Sequence, residues 1–166
     1  MVESKSQLKP HHRFPDYLYW NLLAAVPVVT ACLAILEHSI IWLIVYIMVC
    51  ISLIGFICRF CCTHCPHYIK STNTIKCMFF WAVPKFFEPR PGPLSLFEKS
   101  VSLIATTILI LLPFYWLSLQ PGLLVIYFLS MAALVLTIRR NECGRCIHFH
   151  CPANRVPEDI RRQQKK

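Results

Sequence analysis

The chain is short of charge. Of its 166 residues 15% are charged, against about a quarter in soluble domains, while 56% are hydrophobic and the mean hydropathy is +0.52. Acids are scarcer still, with 8 Asp and Glu against 17 Lys and Arg. Such a composition excludes an ordinary soluble domain and points to an integral membrane protein. Other absences narrow the chemistry. The sequence holds no phosphate loop, no nucleophile–base pair and no acid or base within an apolar run that would mark a proton path. No small-residue cleavage site follows the first apolar run, which is therefore expected to stay in the mature protein as a helix.

What the chain does have is four apolar runs. Tyr17 to Leu36 is twenty residues without a charge, about the ~20 that cross a ~30 Å hydrocarbon core. Asp16 is expected as its N-cap, and Tyr17, Tyr19 and Trp20 as an interfacial belt. Pro27 should kink it. Glu37-His38-Ser39 reads as a tight turn before a second span, Ile40 to Ile57, whose exit Arg59 marks. In the long loop that follows, Ile75 to Phe87 is aromatic and basic, a composition that favours the headgroup plane. Pro89, Pro91 and Pro93 make a stiff connector, and Ser95 with Glu98 a capping box for the third span. That span carries Pro113 and runs to about Leu117; Gln120-Pro121-Gly122 turns the chain into the fourth, ending at Ile138. The fold expected is all-α and polytopic: four transmembrane helices in two hairpins with a cytoplasmic Cys/His-rich cap. Its segments are 1–16, 17–57, 58–94, 95–138 and 139–166.

Lys and Arg set the orientation. Three lie before the first span, six between Arg59 and Lys99 and eight from Arg139 onward, with none in the two short turns. Basic residues collect on the cytoplasmic side, so both termini and the long loop are expected there, in a bacterial or archaeal cytoplasmic (inner) membrane. The net charge of +9 is then topogenic. Membrane lipid is the expected partner of this charge, and nucleic acid is not.

Eight of the ten cysteines fall on that same side, in two knots. Cys58-x2-Cys61-Cys62-x2-Cys65-Pro66, with Cys77 beyond it, follows the second span; Cys143-x2-Cys146-x4-Cys151-Pro152 follows the fourth. The parallel suggests a duplicated unit. In a reducing compartment these thiols are not a disulfide framework, and clustered thiolates are what a soft metal needs. The expected ligands are Cys61, Cys65, Cys143, Cys146 and Cys151, with Cys58, Cys62, Cys77, His64, His67, His148 and His150 as further candidates. Interleaved histidines favour zinc. Cys-x2-Cys-x3-Cys-Pro is similar to the tail of a bacterial ferredoxin run, which implies an iron–sulfur cluster; free or lipidated thiols are the bland alternative. Cys32 and Cys50 read as small packing residues at different depths, and His11 and His12 as exposed tail residues.

The arrangement of spans around a Cys/His loop resembles that of palmitoyl-transferases, but their Asp-His-His-Cys signature is absent and their activity is not implied. The expected function is a non-enzymatic one: a small membrane metal-binding subunit or accessory protein, structural or electron-transferring, working with a protein partner or a second copy. A soft-metal transporter or chaperone, and a membrane thiol-redox protein, are the alternatives.

Overall fold

The computed structural model describes residues 8–9, 12–71, 73–147, 149, 154–158 and 160. They are mostly helical, in the order α1 (Phe14–Leu36), α2 (Ile40–Phe60), a 3₁₀ turn (Cys62–His64), α3 (Pro66–Lys70), β1 (Thr74–Lys76), β2 (Trp81–Pro84), α4 (Leu96–Leu111), α5 (Phe114–Ser118) and α6 (Pro121–Asn141). Four stretches, Phe14–Leu36, Ile40–His64, Leu96–Ser118 and Pro121–Asn141, are long and apolar enough to cross a membrane.

Local chemistry explains the boundaries. α1 begins at Phe14, three residues before its apolar run. Asp16 is not the N-cap: it lies in the first turn, where its carboxylate accepts the Arg13 amide at 2.8 Å. Ser95 and Glu98 close the expected capping box of α4 by exchanging side-chain and amide hydrogen bonds at 2.9 and 3.2 Å. Pro113 separates α4 from α5 because it has no N–H to continue the ladder. The Tyr127 hydroxyl donates to the Ile110 carbonyl at 2.7 Å, filling an acceptor at that break. α2 and α6 each run three residues past the expected ends of their spans, to Phe60 and Asn141.

The fold is not purely α. β1 and β2 form a small antiparallel hairpin within the aromatic, basic stretch. Ala82 takes φ +59° at its bulge, a conformation that costs a non-glycine residue of order 1 kcal/mol or more. Trp81 sits against Phe14 and Tyr17 with ring centroids 5.8 and 6.2 Å away. The Asn21 amide reaches the Met78 carbonyl at 3.3 Å, fixing the hairpin beside the start of α1.

Helix packing runs chiefly between the two halves of the chain: α1 lies on α6 and α2 on α4, with lesser contacts of α1 to α2 and α5. At the centre are Ala31, Ala34, Ile35, Tyr46, Leu117 and Tyr127. Small residues such as Ala31 and Ala34 let backbones approach, which is how helices gain packing energy when water does not drive them together. Leu22, Ile41, Met48, Leu103 and Leu129 face outward. In water so broad an apolar surface would aggregate, whereas hydrocarbon solvates it. The short turns meet at the far end of α1, where the Gln120 amide donates to Glu37.

Candidate functional site

The other end of the bundle carries the thiols. Cys58, on the last turn of α2, is in side-chain hydrogen-bond contact with Cys62, one helical turn on. Cys62 lies within electrostatic reach of Cys61 and Cys77, and Cys65 of Cys77 and Cys146. The two knots thus come within electrostatic reach of each other at Cys65 and Cys146, 81 positions apart. Hydrogen bonds fix the second knot to the N-terminal segment and to its own tail. The Lys9 amide donates to the Arg145 carbonyl at 2.8 Å beside Cys146, and the Arg155 amide donates to the Cys143 carbonyl at 3.0 Å. The Asn154 side chain adds a 2.9 Å bond to the Cys146 carbonyl.

Burial shapes the thiol chemistry. It pushes Cys65 up to about 12, and the amides of His67 and Tyr68 at the start of α3 only partly offset it. Burial also raises Cys77, whose sulfur accepts the Phe79 amide at 3.4 Å. Both are protonated thiols at neutral pH. A divalent cation would be needed to hold them as thiolates, and its binding would release protons. Among the described residues no group of three or more Cys, His, Asp or Glu stands in metal-binding geometry. Of the expected ligands, Cys151, His148 and His150 lie outside the described residues.

The two described histidines of the first knot have separate surroundings. His64 is buried with both ring nitrogens facing acceptors, Nδ1 at 3.3 Å from the Gly92 carbonyl and Nε2 at 3.2 Å from Glu98 Oε1. Arg90 reaches the same carboxylate oxygen at 3.4 Å, so His64 ties the loop to the start of α4. His67 is buried against His12, ring centroids 4.7 Å apart. Burial first, then the His12 charge, lowers its pKa to about 4, although Glu142 pulls the other way. It is a neutral imidazole at physiological pH.

Three residues here escaped the sequence reading. His12 is buried rather than exposed, and it stands 3.8 Å from Glu142 Oε2. Glu142 also accepts from Lys9 Nζ at 2.9 Å and Trp20 Nε1 at 3.1 Å, so it joins the N-terminal segment, α1 and α6. Trp20 is turned inward by that bond and is no member of an interfacial belt. The signal for Glu142 was available: it is the first acid after the fourth apolar run, set among Arg139, Arg140 and Arg145. Within the bundle, Cys32 and Cys50 come within reach of each other beside Tyr46, at shared rather than different depths.

No family model, curated protein or solved structure matches this chain. The site is defined by its own residues alone.

Proposed function

We propose that this is a small integral membrane protein that holds a soft metal ion at the end of the bundle where its cysteine knots meet. Zinc fits the donor set first and an iron–sulfur cluster second. The supporting observation is the approach of Cys65 to Cys146 across 81 positions, with Cys77 within reach of both Cys65 and Cys62, and Cys58 and Cys61 beside Cys62. Thiolate-rich donors select zinc, copper(I) and iron–sulfur centres over hard cations. The metal would neutralise buried sulfurs that otherwise carry protons, and would brace two segments distant in the chain. The role is non-enzymatic, as an accessory or electron-transferring subunit, with the thiols on the reducing, cytoplasmic face.

The test is elemental analysis and visible absorption of the full-length protein purified without chelator. Stoichiometric zinc with no colour, or iron with broad absorbance that bleaches on reduction, is expected. Cys65→Ser and Cys146→Ser should each lower the bound metal, while Cys32→Ser leaves it unchanged. Metal-free wild-type protein would overturn the reading.

Transport of a soft metal is the second reading, favoured by the proximity of Cys32 and Cys50 within the bundle. It requires Cys32→Ser to change the metal tolerance of cells without changing metal bound at the cap.

A further inference from the structure

A second site shares Glu142 with the histidine cluster. An open cavity of about 730 Å³ sits where the start of α1 meets the end of α6, between Arg13, Tyr19 and Trp20 on one wall and Arg140 and Arg145 on the other. Its volume is within the roughly 300–1,000 Å³ of small-ligand sites. Four cationic side chains line it against two carboxylates. Lys9 serves both acids, at 3.1 Å from Asp16 and 2.9 Å from Glu142. Arg13, Arg140 and Arg145 form no ion pair with any described residue. All three are exposed. With Lys9, the three guanidinium groups give the hollow four positive charges against two negative ones, a net charge of +2.

Position adds the second argument. The cavity lies at the ends of two helices long and apolar enough to cross a membrane, so its mouth falls at headgroup depth. Tyr19, half exposed beside it, is the residue type that settles at that boundary. Guanidinium forks match the geometry of phosphate oxygens. We propose that this cavity binds a phosphate group, supplied by an anionic phospholipid whose tails lie along α1 and α6. The same chemistry would accept a free phosphate from solution, and the two sources can be separated.

The experiment is native mass spectrometry of the full-length protein, delipidated in detergent, titrated in separate arms with phosphatidylglycerol, phosphatidylcholine and inorganic phosphate. Wild-type protein should retain phosphatidylglycerol in preference to phosphatidylcholine. The triple variant Arg13→Gln, Arg140→Gln, Arg145→Gln should weaken that binding roughly a hundredfold, since each basic residue near an anionic surface contributes about a factor of five. Lys99→Gln, which removes a cation outside the cavity, should bind as wild type. Unchanged melting of the lipid-free triple variant shows that it folds; if it does not, the single Arg140→Gln variant should still lose part of the preference. Binding of inorganic phosphate as strong as that of the lipid keeps the phosphate site and assigns it the soluble source. Equal retention of the two lipids together with no phosphate binding, or a well-folded triple variant that binds as wild type, overturns the site.

Discussion

At the scale of single residues, burial decides most of the chemistry at the thiol end. His67 is the clearest case. Its folded pKa of about 4 lies below the ordinary 6.5, so the unfolded chain takes up the proton first as pH falls. The contribution is flat above pH 6.5 and is lost as pH falls from there towards 4. At 1.36 kcal/mol per pH unit the loss is on the order of 3 kcal/mol by pH 4. The facing charges are His12, Glu142, Lys70 and Lys9. In metal-free protein in detergent, His67→Phe keeps a ring beside His12 and removes the titration. Melting temperature measured from pH 7 to 4.5 should fall less steeply for the variant than for wild type. Parallel curves would mean that His67 is solvated and that its burial is not maintained in solution.

At the scale of elements, the membrane changes which interactions count. Apolar burial cannot drive helices together in hydrocarbon, so close packing and satisfied carbonyls carry the weight. Tyr127 serves both, being buried in the central cluster while its hydroxyl fills the Ile110 carbonyl beside Pro113. Tyr127→Phe keeps the ring and removes the bond, and should cost roughly 1 kcal/mol, the scale of hydrogen bonds between membrane helices. Chemical denaturation in mixed micelles reads this directly; a variant as stable as wild type would show that the break at Pro113 is satisfied some other way. The elements themselves were largely legible. The capping box at Ser95 follows from side-chain chemistry and stands as expected, whereas the third span was expected to run through Pro113, where the helix is interrupted. The ends of α2 and α6 were misjudged because hydropathy marks where hydrocarbon stops, whereas the backbone ladder continues through Cys58–Phe60 and Arg139–Asn141. The hairpin was not legible either. Its strands are three and four residues long, and the intervening Cys77 to Phe80 has no Gly, Asn or Pro to signal a turn.

At the scale of the whole molecule, the site was half legible. Spacing shows which thiols are neighbours within a knot, but not that Cys65 comes within electrostatic reach of Cys146 or that Glu142 draws in Lys9, His12 and Trp20. The contacts of Glu142 with Lys9 and His12 need the N-terminal segment to fold back across the start of α1 and the end of α6. That fold-back constrains topology. The Lys9 amide and the Arg145 carbonyl are joined directly, so the segments before α1 and after α6 share one end of the bundle and would lie on one side of a membrane. Which side is a matter of charge. With 17 Lys and Arg before, between and after the spans and none in the turns at Glu37–Ser39 and Gln120, translocating either end would carry several cations across. A fluorescent reporter fused after Lys166 should therefore be active in the cytoplasm. A phosphatase inserted at His38 should be active only outside, because that turn carries no basic residue to hold it in. The opposite pattern would place the cysteine knots in an oxidising compartment, where neighbouring thiols such as Cys58 and Cys62 would be drawn towards disulfides. The metal reading would then fall together with the orientation.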